Sequence, residues 1–165
     1  MSDSSRAKRS TYERALDMLE ARARGSAELR RLLLRKGEPE ADVGAAIERL
    51  TRAGLLDDAS YARQVARSKA LGSGLSRRRI QQELVRRGVD RALTSEAIDE
   101  VFRDEGVDDG ASIERAARKK LRTLARVDEP TRKRRLYAYL ARRGYDGDDI
   151  TRVIAIVLGA QQSSE

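Results

Sequence analysis

Three short strings, Arg35-Lys-Gly37, Arg86-Arg-Gly88 and Arg142-Arg-Gly144, recur along the 165-residue chain, 51 residues apart (37 to 88) and then 56 (88 to 144). A period near fifty constrains the fold more than any single motif, because each copy must then be one supersecondary unit. Carried upstream, the two offsets align Leu29 with Ile80 and Leu136, and Leu33 with Leu84 and Leu140. That is the i, i+4 spacing of one helix face. Downstream they align Ile47 with Ile98 and Ile154, and Leu50 with Val101 and Val157. Two helices per unit therefore share a register, with Gly37, Gly88 and Gly144 at the left-handed position that closes the first of the pair.

A further helix opens each unit, over about residues 12–24, 58–70 and 112–126. Taking Tyr12, Tyr61 and Ile113 as equivalent, its link to the second helix lengthens from copy to copy. Ser26, Ser76 and the Asp128-Glu-Pro130 turn are N-terminal signals for the second helices, and Glu38-Pro39 for a third. The joint between the first two units is Arg52-Ala-Gly-Leu-Leu-Asp-Asp58. Here Gly54 should end one helix, an aspartate should cap the next, and Leu55-Leu56 should plug the seam. The expected fold is all-α: three tandem three-helix repeats at 11–56, 57–106 and 107–158, between tails at 1–10 and 159–165. Such units should stack into an elongated, curved array in which neighbour contacts supply much of the stability.

Composition narrows the chemistry. Aromatic residues make up 4% of the chain and Trp is absent, so Leu, Ile, Val and Ala must build the core. With neither cysteine nor histidine, thiolate metal sites, disulfides, and Ser–His or Cys–His catalysis lose their usual parts. No cofactor is expected. The opening MSDSSRAKRS has no apolar stretch and no run approaches the ~18 apolar residues that span a bilayer, which favours a cytoplasmic protein without membrane attachment. A monomer is the expected state.

The formal charge of +8 is not spread evenly. Second helices are basic: residues 26–36 carry a net +3, 76–87 carry +4 and 129–143 carry +5, whereas 38–52, 90–105 and 146–158 carry −2, −4 and −2. At 100° per residue, Arg78, Arg79 and Arg86 project away from the Ile80/Leu84 stripe, as do Arg134, Arg135 and Arg142 from Leu136/Leu140. Unit one keeps Arg35 but has Ala27 and Glu28 in place of the arginine pair. The candidate partner-binding residues are thus Arg31, Arg35, Lys36, Arg78, Arg79, Arg86, Arg87, Arg134, Arg135, Arg142 and Arg143. A repeated single-sign stripe opposes its own compactness, so a polyanion or an acidic protein surface is the expected partner. Arginine suits carboxylate and phosphate equally.

Other motifs read more plainly. Asp57-Asp58, Asp108-Asp109 and Asp148-Asp149 all fall at helix starts, where capping is sufficient cause. Gly72-Ser-Gly74 lacks the lysine and hydroxyl of a phosphate loop. Tyr137 and Tyr139 lie among arginines, and Tyr139 falls near the apolar stripe.

Gly54-Leu-Leu-Asp-Asp58 followed by Tyr61-Ala62, then Gly74-Leu-Ser-Arg-Arg-Arg-Ile-Gln-Gln-Glu-Leu84 and Arg87-Gly-Val89, resemble the signature of the RecX family of recombination regulators. Arg143-Gly-Tyr145 with Ile150 resembles that family's closing motif, and Leu75 stands where members often have proline. The resemblance implies tandem three-helix repeats that bind the RecA recombinase, lie along the groove of its DNA filament and lower its ATPase, strand-exchange and repressor-cleavage activities. It also implies that some members bind single- or double-stranded DNA themselves. Three readings follow: a filament regulator with no chemistry of its own, a plain basic DNA-binding module, and a DNA-processing enzyme using Tyr137.

Overall fold

A computed structural model of the chain describes residues 9–162, the side chains of 160–162 excepted. Nine α-helices form among the described residues: α1 (Thr11–Ala21), α2 (Ser26–Arg35), α3 (Glu40–Arg52), α4 (Asp58–Arg67), α5 (Arg77–Arg86), α6 (Arg91–Asp104), α7 (Asp109–Arg122), α8 (Glu129–Arg142) and α9 (Gly147–Gln162). A π-helical turn, Ser68–Gly72, extends α4. The expected tail at 159–165 is helical as far as Gln162. Of the expected N-terminal tail, Ser10 caps α1 through a reciprocal box with Glu13, while residues 1–8 and 163–165 lie outside the described residues.

Each unit has its own interior. Leu29, Leu33, Ile80, Leu84, Leu136 and Leu140, the positions aligned by the repeat, are all at 0% exposure. They fall into three separate apolar clusters, one per unit: the buried members of each come from that unit alone, Leu56 closing the first, and Val107, the first residue assigned to unit three, packs against the second. Three short helices thus bury a common core within each unit.

The Gly54 joint closes with a pair of C-terminal bonds, Leu55 N–H to Leu50 O and Gly54 N–H to Thr51 O, both 3.0 Å. Only Leu56 enters the core of unit one; Leu55 is 55% exposed. Consecutive side chains of an extended link point opposite ways, so one of the pair must face outward. The first helices also correct the expected alignment. Their buried alanines, Ala15, Ala66 and Ala117, are 51 residues apart in both steps. Tyr12 is half-buried under the Arg49 guanidinium at 3.9 Å, and Thr11 takes the inward position. The length difference therefore lies wholly between α7 and α8, and α1 begins one turn later than α4 does relative to its alanine. The same register explains why Ser26 does not cap α2: it corresponds to Arg77, while Gly25 corresponds to the capping Ser76.

Narrow seams join the units and place the middle helices in series. The end of α5 meets the start of α2: a Cβ on Gly88 would stand 2.5 Å from Ala27 Cβ, and Arg31 Nη2 donates to Arg87 O at 3.3 Å. Likewise the end of α8 meets the start of α5. Ser76 N–H donates to Arg143 O (3.0 Å), Tyr145 Oη to Gly74 O (2.8 Å), and a Cβ on Gly144 would stand 2.5 Å from Arg79 Cβ.

Candidate functional site

The expected stripe divides into open cations and seam residues. In α2, Arg30 pairs with Glu40. Arg31, Arg35 and Lys36 stay exposed with no ion pair among the described residues. In α5, Glu83 draws in three cations: Lys69 at 3.4 Å, Arg79 at 3.8 Å and Arg87 at 4.0 Å. Arg77 is taken by Asp99 (2.5 Å) and by the Phe102 ring, 4.2 Å below its guanidinium. Arg78 and Arg86 remain open. In α8, Lys133 pairs with Glu129 and Arg132 Nη2 donates to Val127 O, leaving Arg134, Arg135 and Arg142 open.

Besides Arg31, which donates to Arg87 O across the first seam, three members of the expected set serve the architecture. Arg87 Nη1 donates to Tyr61 Oη at 2.9 Å, a bond that raises the guanidinium pKa and ties α5 to α4. Arg143 stacks on Tyr139 at 3.6 Å and donates through Nε to Ser73 O at 3.1 Å, across the second seam. The Arg79 stem packs where Gly144 approaches. Helical-wheel arithmetic places a side chain on a face; it cannot show that a neighbouring unit covers that face.

The seam between the first two units brings predicted residues together that lie far apart in sequence. Arg31 and Arg35 of α2 line a groove of about 720 Å³ opposite Arg86 and Arg87 of α5, over a floor that includes Leu32 and the 37% exposed Leu34. Lys36 lies apart, in a second depression with Arg9, Arg14 and Asp17. Arg22 and Glu28, paired with each other, also line it, so the groove holds five arginines against one carboxylate and is wide, cationic and partly apolar. It can take an acidic segment that also offers apolar contacts, because guanidinium forks pair with carboxylates while the leucines cover hydrocarbon.

The aspartate pairs behave as helix-start residues. Asp57 Oδ1 accepts from Ser60 N–H (3.0 Å) and Asp108 Oδ2 from Ala111 N–H (2.8 Å). Asp128 accepts from Thr131 N–H, which with the nearby Arg134 charge holds its pKa below the usual carboxylate value. Asp58 does more: it accepts from both the backbone N–H and the hydroxyl of Ser26 across the first seam. Burial of Tyr145 and the nearby Asp109 charge push its phenol up to about 12, so it stays a hydrogen-bond donor at the second seam. Tyr137 is 44% exposed, with its hydroxyl against Gly147. Reading the middle helices alone missed the exposed cations of α7, Arg115, Lys119 and Arg122. The signal that finds them is the 51-residue step of the first helices.

Fold and surface together define a class: a basic array of three-helix units with open arginines along its middle helices. Comparison with known proteins agrees in all three units. Family models described as the first, second and third three-helix domains of RecX match residues 12–50, 57–98 and 108–154. The chain is 40% identical over 133 residues to the regulatory protein RecX of Amycolatopsis mediterranei, covering 81% of this chain and 74% of that protein. It is 37% identical over 152 residues to that of Mycobacterium avium, covering 89% and 84%. The crystal structure of RecX from Lactobacillus salivarius superposes with a TM-score of 0.67 at 20% identity, over 87% of this chain and 92% of that one. The chain belongs to the RecX family.

Proposed function

We propose that this protein is a non-enzymatic regulator that binds the RecA recombinase filament and restrains its ATPase, strand-exchange and coprotease activities. The observation that carries this reading is the serial placement of the middle helices. Their tails and heads meet at the seams, so the open cations Arg35, Arg86, Arg78, Arg142, Arg134 and Arg135 follow one another along three units. A ligand that repeats along its length can be gripped at several such points, and linked weak contacts then multiply. The partly apolar groove at the first seam favours a protein surface with carboxylates over bare phosphate. Among the described residues no helix is long and apolar enough to cross a membrane, and no group of three or more acidic side chains could hold a metal.

An ATPase titration of RecA on single-stranded DNA tests the reading. The chain should inhibit at well under one copy per recombinase protomer. Arg78→Glu combined with Arg134→Glu and Arg135→Glu should weaken inhibition at least tenfold while circular dichroism stays unchanged, because all three are surface positions. Undiminished inhibition by that folded variant refutes the assignment of the stripe.

A further inference from the structure

The 51- and 56-residue offsets expose one place where unit one departs from both sister units. On either side of the core residue Leu33, α2 has Leu32 and Leu34; unit two has Glu83 and Val85 there, and unit three Tyr139 and Ala141. Neither leucine belongs to the apolar cluster of unit one, and Leu34 is 37% exposed. Helix propensity does not call for them, since glutamate and glutamine serve a surface helix position about as well. Both lie on the floor of the groove at the first seam. The charges over that floor are unmatched. Arg31, Arg35 and Arg86 have no carboxylate partner among the described residues, while Glu28 is engaged by Arg22 and, at 3.1 Å, by Arg24. In unit two the chain itself places a carboxylate at the position of Leu32: Glu83 gathers Lys69, Arg79 and Arg87. The first seam keeps arginines and lacks the acid that answers them.

We propose that the first-seam groove docks a segment of a protein partner in which an apolar side chain stands between carboxylates. The proposal rests on the reading of a protein partner and names the feature that this one site recognises. The apolar side chain covers Leu32 and Leu34. Its flanking carboxylates take the guanidinium forks of Arg31 and Arg35 on α2 and of Arg86 on α5, a role that Glu83 fills internally one unit further on. A volume of about 720 Å³ has room for a few side chains of an inserted segment. A nucleic-acid backbone would satisfy the guanidiniums and leave the leucines against water, so the floor favours a peptide. Because Arg35 and Arg86 belong to different units, the occupant bridges the seam and holds the first two units in one pose.

The test is fluorescence anisotropy of the full chain, without recombinase and at about 150 mM salt. The probes are a labelled peptide, Gly-Asp-Glu-Leu-Asp-Glu-Gly, and the same peptide with serine in place of its leucine. The leucine peptide should bind roughly five- to tenfold tighter, the worth of a half-buried leucine. Leu32→Glu supplies the acid that unit two carries at this place, so circular dichroism should stay unchanged while that ratio falls to about one and affinity drops roughly tenfold. Leu34→Gln, which alters no charge, should lower the ratio as well. Arg35→Ala combined with Arg86→Ala should weaken both peptides and preserve the ratio. Long-range charge cancels in a ratio, so it should also persist when Arg78, Arg134 and Arg135 are changed to Glu. Loss of recombinase inhibition in that variant with the ratio intact separates the stripe from the groove. Equal binding of the two peptides, or a ratio that survives Leu32→Glu, would overturn the site. So would displacement of the leucine peptide by a single-stranded oligonucleotide more readily than by its own unlabelled copy, which would assign the groove to phosphate.

Discussion

The two seams lie at the same place in the repeat and differ in their contacts. At the first, Asp58 accepts two hydrogen bonds from Ser26, and Gly88 lies against a methyl group, Ala27. At the second, Asp109 faces Arg77 at 3.7 Å, and Gly144 lies against the Arg79 stem and the Ser76 hydroxyl. Ser26 and Arg77 are equivalent positions, as are Asp58 and Asp109, so equivalent aspartates are met by a serine in one case and a guanidinium in the other. What the two share is the glycine. The pose is dictated by close backbone approach at the end of a middle helix, and the polar contacts adapt to it.

The comparison would break if the seams carried the stability of the whole array. Leu84 is fully buried in the core of unit two. Leu84→Asp forces an unpaired carboxylate into that core, a cost of at least ~4 kcal/mol. Separate interiors imply that unit two melts alone, with loss of about a third of the helical ellipticity and protection from proteolysis retained in units one and three. Loss of all helical signal in one step would mean that the seams transmit unfolding and the cores are not independent.

Much of this layout was legible in the residues. Leu29, Ile80 and Leu136 announced the middle helices because a repeated apolar face is a local property. The glycines after them were equally plain, since a helix end needs a left-handed residue wherever the unit docks. The role of Arg87, Arg143 and Arg79 was not legible: on a wheel they are surface cations, and only the approach of a neighbouring unit makes them seam residues. Leu55 misled for the same kind of reason, because nothing in a Leu-Leu pair says which member the core admits. The α7 cations escaped notice while Tyr12, Tyr61 and Ile113 fixed the alignment; the small buried alanines, which carry little pattern signal, hold the true register.

The shared glycine can be probed by adding a single methyl group. Gly37, Gly88 and Gly144 have φ of 83°, 91° and 88°, where a side chain costs about 1–2 kcal/mol. Nothing surrounds Gly37, so Gly37→Ala should cost only that. Gly88→Ala adds a collision with Ala27 Cβ, and Gly144→Ala collisions with both Arg79 Cβ and Ser76 Oγ, each worth a further ~1–3 kcal/mol unless the seam opens. Urea denaturation should rank the losses Gly144 > Gly88 > Gly37. Ala27→Gly should restore most of the Gly88→Ala loss beyond the backbone part, and has no such effect on Gly144→Ala. Equal losses at all three positions would show that the seams do not hold the glycines close.

The smallest effects separate the polar halves of the two seams. Asp58→Asn keeps an acceptor for Ser26 N–H but loses the charge that strengthens both bonds, and should cost about 1 kcal/mol at neutral pH. Asp109 behaves oppositely. Partial burial raises its pKa above the ordinary 3.8, outweighing the nearby Arg77 charge. A folded-state pKa above the unfolded one means that the protonated carboxyl favours the docked seam: this contribution is full below the unfolded pKa and is lost as pH rises through the folded value. Asp109→Asn should therefore leave the neutral-pH denaturation midpoint unchanged or slightly higher, and its difference from wild type should disappear near pH 3, where the native residue is itself uncharged. If Asp109→Asn instead destabilises at pH 7 as much as Asp58→Asn does, the Arg77 ion pair is the dominant tie and the two seams are chemically closer than their contacts suggest.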